Sequence, residues 1–82
     1  MKVGVYSLKN VLYQGEAKSL NLKTRAGEIT VLDHHNPLIG IVVPCVVKVE
    51  DTSGSLRGIP AAGGFLEVRG DNESRLLIDE LQ

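Results

Sequence analysis

Apolar side chains recur at every second position through most of this chain, and no other feature limits its fold as strongly. Val3 and Val5 flank Gly4, and Leu20 and Leu22 alternate with Ser19, Asn21 and Lys23. Ile29 and Val31 alternate with Glu28 and Thr30, and Val47 and Val49 with Lys48 and Glu50. Leu66 and Val68 alternate with Phe65 and Glu67. In an extended backbone, successive side chains point to opposite faces, so each such run buries one side and wets the other.

Turn-forming residues interrupt the alternation at short intervals. They predict turns at Gln14-Gly15, Ala26-Gly27, residues 33–37, Val43-Pro44, Thr52-Ser53-Gly54, Gly63-Gly64 and Gly70-Asp71-Asn72. Many short strands with regular turns define a sandwich or barrel. Residues 74–82 admit two readings. Leu77 and Leu81 are four apart, as on a helix, with Asn72 as a candidate cap. Leu76, Leu77 and Ile78 also form a continuous apolar run between charges, which suits a buried strand. The expectation is a strand at least over Arg75 to Ile78, in one all-β domain spanning residues 1–82.

Size and charge remove several function classes. Eighty-two residues make one small domain. Such a domain buries only about 60% of its unfolded surface, leaving no room for a roofed active site. A net charge of −1 with 23% charged residues argues against nucleic acid, which calls for a basic stripe, and against a polybasic membrane patch. The apolar run 41–47 contains Pro44 and falls far short of the about 20 residues that span a bilayer. The first residues carry one charge and then alternate, unlike a signal peptide. A single cysteine, Cys45, fits a reducing compartment.

The residues that could carry chemistry do not assemble into a site. His34 and His35 are adjacent and so point apart; with one cysteine and no third histidine, no zinc set is expected. Cys45 follows Pro44 in an apolar run, where a thiol acts as a small hydrophobe, with nothing nearby to lower its pKa. Gly63-Gly64 leads into a strand rather than a helix, so a phosphate cradle is not expected there. Tight turning or close backbone approach inside a sheet accounts for the pair. The expectation is a non-catalytic protein with no metal and no cofactor.

An ordered set of blocks resembles a known family. Tyr13-Gln14-Gly15 is followed by an alternating segment, Ser19 to Lys23, then Gly27-Glu28-Ile29 and His35-Asn36-Pro37-Leu38. Pro44 leads into a further strand to Val49, and Gly63-Gly64-Phe65-Leu66-Glu67-Val68 comes last. Blocks, order and spacing resemble the N-terminal β-sandwich domain of the epsilon subunit of F-type ATP synthase. The resemblance implies a flattened sandwich of two five-stranded sheets at the foot of the central stalk. It implies one edge against the gamma subunit and lower loops on the polar loops of the membrane c-ring. It further implies a rotor subunit without chemistry of its own, in proton- or sodium-driven ATP synthesis, peripheral on the cytoplasmic face of the bacterial plasma membrane.

Carried over by position, Ser7 and His35 match places that face gamma, and Glu28 matches the acidic residue that meets the c-ring. The departures are local. The family usually has Pro-Gly where this chain has Asp33-His34, and Gly where it has Cys45. Cysteine disfavours the positive φ that glycine permits, so Pro44-Cys45 is expected to form a type I or open turn. Family members usually continue into an inhibitory two-helix hairpin; the sequence stops at Gln82, and coupling without hairpin inhibition is the expectation. The alternative is a free-standing sandwich module for peptide or carbohydrate. Its aromatic platforms would be limited to Tyr6, Tyr13 and Phe65.

Overall fold

The computed structural model describes residues 1–80 as strands and turns, with no helix among them. The alternating segments form seven strands: β1 (Lys2–Tyr6), β2 (Val11–Thr24), β3 (Gly27–Val31), β4 (Leu38–Val42), β5 (Cys45–Asp51), β6 (Leu56–Val68) and β7 (Glu73–Glu80). Seven strands make both layers of the sandwich because β2 and β6 each serve two. The first layer runs β4, β6 (residues 64–68), β7, β1 and β2 (residues 11–16). Every neighbour in it is antiparallel except β1 and β7, which are parallel. The second layer runs β3, β2 (residues 17–24), β5 and β6 (residues 56–61), all antiparallel.

Both long strands change layers at a bulge. The register of β2 against β5 slips between Ala17 and Ser19, and that of β6 against β7 between Ala61 and Gly63. An extra residue bends a strand and increases its twist, which lets one strand turn the corner of a sandwich. Ala17 and Ala61 are both buried at these corners. A methyl group fits where the two layers converge; a longer side chain would have to displace the opposite sheet.

The inward residues supply the core. Val3 and Val5 of β1, Leu20 and Leu22 of β2, Val47 and Val49 of β5, Leu66 and Val68 of β6, and Leu76 and Ile78 of β7 are all buried. Val31 and Val42 close it from β3 and β4. Fully burying one Leu or Val is worth about 1.5–3 kcal/mol, so this set dominates the stability of so small a domain.

Three sequence expectations need correction. No turn forms at Gln14-Gly15: β1 pairs across it, Val3 with Gly15 and Gly4 with Gln14, and the ladder holds β2 extended. The turn lies earlier, at residues 7–10, where the Ser7 amide donates to the Asn10 carbonyl (2.9 Å). Gly63-Gly64 lies within β6, not in a turn, and its role is close approach. A Cβ on Gly64 would collide with the Leu77 carbonyl oxygen of β7. The last strand is present, but Leu76-Leu77-Ile78 is not buried throughout: Leu76 and Ile78 face the core and Leu77 faces out, 47% exposed. The expected strand over residues 75–78 extends to Glu73–Glu80, which overturns the helical alternative for residues 74–80; residues 81 and 82 lie outside the described residues.

At Pro44-Cys45 only the expected absence of positive φ can be compared, and it holds. Pro44 bends the chain, Cys45 opens β5, and Cys45 is not among the residues with positive φ. Among the described residues, His34 is one of two non-glycine residues that are, with φ 60°. It occupies the place where the resembling family has the glycine of Pro-Gly.

Candidate functional site

The two outer faces of the sandwich differ in chemistry. On the first layer, residues that stand opposite one another across successive strands form an apolar row. Ile41 of β4 faces Phe65 of β6, Phe65 faces Leu77 of β7, Leu77 faces Tyr6 of β1, and Tyr6 faces Val11 of β2. Ile41, Phe65, Leu77 and Val11 are 41%, 59%, 47% and 62% exposed, and Ile39 beside them is 79% exposed. Single exposed apolar residues are ordinary, but a contiguous row across five strands is not.

The row borders a shallow groove of about 350 Å³, walled by Tyr6, Ile39, Phe65 and Leu77, with Glu67 and Arg75 along one side. The local sequence sets its floor. Gly4 points outward under the ring of Tyr6, where any Cβ would meet the ring. The ring therefore lies back along β1 instead of standing off the sheet. In the next row, Ile39, Glu67, Arg75 and Gly4 are opposite in turn. Arg75 Nε donates to Glu73 Oε2 (3.1 Å), and this contact, with the nearby charge of Glu67, raises the guanidinium pKa further. Arg75 is thus held as a cation at the margin of the groove.

The second layer presents polar rows where β3, β2 and β5 adjoin. Thr30 faces Asn21, and Asn21 faces Lys48. Asn21 Nδ2 donates to Thr30 Oγ1 (2.9 Å) and Glu28 Oε2 (3.0 Å). Lys23 stands directly opposite Glu28. Val46 and Leu56 are exposed on the β5–β6 margin, with Lys48 and Gly58 between them, so no apolar row forms.

The structure separates the three residues singled out by sequence. Ser7 begins the β1–β2 turn, and its Oγ donates to Glu80 Oε2 (2.9 Å) at the end of β7, which also accepts from Asn10 Nδ2 (3.1 Å). His35 is half-buried at the other end of the first layer, in the β3–β4 turn, with Nδ1 2.8 Å from the Asn36 carbonyl. Ser7 and His35 thus lie at opposite strand ends of the first layer. Glu28 is exposed on β3, in the other layer. The histidine pair has no convergent partners: among the described residues no group of three or more His, Cys, Asp or Glu side chains could hold a metal ion.

Sequence reasoning did not mark the apolar row. One signal for it was present: Phe65 shares its parity with Glu67, which places an aromatic ring on the wet side of β6. The other members come from four distant segments, and only the strand pairing aligns them.

Comparison with known proteins agrees with this architecture. Residues 1–80 match the family model described as the ATP synthase delta/epsilon chain, beta-sandwich domain. An ATP synthase epsilon chain of Bordetella petrii is 39% identical over 69 residues, covering 84% of this chain and 49% of that protein. The chain thus spans about half the length of that curated relative. Two solved structures share the fold. A chain of the Euglena gracilis mitochondrial ATP synthase OSCP/F1/c-ring assembly superposes with TM-score 0.86 at 19% identity, over 93% of this chain and 48% of its own. A chain of the Tetrahymena thermophila mitochondrial ATP synthase central stalk and c-ring does so with TM-score 0.81 at 14% identity, over 98% of this chain and 63% of its own. With a family match across the whole described chain and that degree of identity to an epsilon chain, the protein belongs to the ATP synthase delta/epsilon β-sandwich family.

Proposed function

We propose that this domain is a non-catalytic part of the rotor of an F-type ATP synthase. In this role the outer face of the first layer docks on the gamma subunit, and the domain links gamma to the polar loops of the c-ring. Proton- or sodium-driven rotation would pass through it, on the cytoplasmic face of a bacterial plasma membrane. A sandwich suits such a role because packed sheets deform little and transmit force.

The observation that carries the reading is the apolar row from Ile41 to Val11, present on one outer face and absent from the other. Aromatic and aliphatic anchors with a polar rim are the usual anatomy of a protein interface. Ser7 and His35, at opposite strand ends of the first layer, are the proposed polar contacts to gamma. Glu28 is the proposed contact to basic residues of the c-ring loops. A rim ion pair of this kind adds at most about 1 kcal/mol, so its value lies in register rather than affinity.

The test is co-elution of the purified chain with gamma in size exclusion, repeated with Phe65→Glu. A complex formed by the parent chain and lost in the variant supports the proposal. A parent chain that elutes alone, yet binds a peptide or glycan on this face, would favour the free-standing module instead.

A further inference from the structure

We propose, resting on the gamma docking inferred above, that the segment of gamma seated on the apolar row is a basic amphipathic helix. It crosses the strands with one helical turn over each. The row is long across the strands and short along them. On β7, Leu77 lies between Arg75 and Asp79 among the outward residues, all three exposed. On β6, Glu67 is the outward neighbour of Phe65, and on β1, Gly4 and then Lys2 precede Tyr6. Only β4 presents two apolar residues, Ile39 and Ile41. Sheets packed face to face keep their strands within about 30° of each other, and each inner face is apolar at alternate positions along its strands. A third sheet therefore does not suit this surface.

The spacing suits a helix. Neighbouring strands lie about 4.8 Å apart, so the row from Ile41 to Val11 spans about 19 Å. A helix advances about 5.4 Å per turn, and an apolar stripe along it offers side chains to each strand in succession. An extended segment laid the same way would point a side chain at this face only every 6.6 Å or so, out of step with the strands.

Charge adds the sign. The charges next to the row are Glu67 and Arg75 on one side and Asp79 on the other. Arg75 is already bound to Glu73, 3.1 Å away. Glu67 and Asp79 make no ion pair with another described residue, which leaves a carboxylate open on each side of the row. A helix with Lys or Arg on both flanks of its apolar stripe answers them, the aliphatic stems lying over the row and the charges reaching its margins.

The experiment uses this chain and purified gamma. Ile41 and Val11, at the two ends of the row, are replaced in turn by benzoylphenylalanine, and the gamma residues captured on irradiation are mapped by mass spectrometry. Both positions are exposed, so the urea midpoint should match that of the parent. The two captured sites are expected about 13 residues apart in one helix of gamma, the number that spans the row at about 1.5 Å each. Sites about 6 residues apart in a strand, or in two separate segments, overturn the helix and leave docking on gamma standing. No capture from either position also overturns it; docking itself then falls only if the parent chain fails to co-elute with gamma. Glu67→Lys combined with Asp79→Lys should slow association with gamma roughly tenfold at low salt and remove most of its salt dependence. Association as fast as that of the parent overturns the basic flanks.

Discussion

The backbone amide of His34 donates to the side-chain oxygen of Asn72 at 2.7 Å, and both residues stand at φ 60°. Two turns, one between β3 and β4 and the other between β6 and β7, each adopt a backbone that L-residues disfavour. Each supplies half of the contact between them. Asparagine tolerates this region because its short polar side chain bonds locally; histidine does so less well.

Opposite outcomes are therefore expected at the two positions. His34→Gly relieves left-handed strain while keeping the amide donor, and should stabilise the domain by about 1 kcal/mol. Asn72→Ala keeps the strain and removes the acceptor, and should cost about 2 kcal/mol. Urea unfolding of both variants checks the pair of signs. A destabilising His34→Gly would mean that the histidine ring contributes more than the strain removes.

Gly64→Ala should be among the most damaging single substitutions in the chain. The added methyl would collide with the Leu77 carbonyl oxygen, a backbone atom that cannot move without shifting β7. A loss of about 3 kcal/mol or more is expected, enough to unfold much of a small domain. The urea midpoint and the near-ultraviolet dichroism of the variant test this.

On the outer face the expected damage is to binding and not to folding. Leu77→Glu and Phe65→Glu place a charge where the side chain is about half exposed, so the urea midpoint should change little. Binding to gamma should weaken by about thirtyfold or more, the equivalent of a 2 kcal/mol anchor. Thr30→Glu on the polar layer should leave gamma binding unchanged. Titration calorimetry of the three variants separates the faces.

Much of the architecture could be read from the chain. The period of two in Val3-Gly4-Val5, Leu20-Asn21-Leu22 and Val47-Lys48-Val49 named the inward residues, because a pleated backbone leaves no choice of face. The bend at Pro44 was legible for a similar local reason. Gly15 and Gly63-Gly64 misled because glycine signals a turn and a close approach equally well. Neighbouring strands decide between the two, and they lie far away in sequence.

The alternating pattern alone settled that the chain up to about residue 70 is extended and which side of most of its strands is buried; pairing of β7 with β6 and β1 decided that residues 73–80 are strand and that Leu77 faces out. The tertiary structure decided how strands are shared between layers, through bulges beside Ala17 and Ala61. It also placed Ile41, Phe65, Leu77, Tyr6 and Val11 in one row. The division has a simple cause. Facing is fixed by each residue's own backbone, whereas rows and clusters depend on register between segments dozens of residues apart, which only packing of the shared core selects.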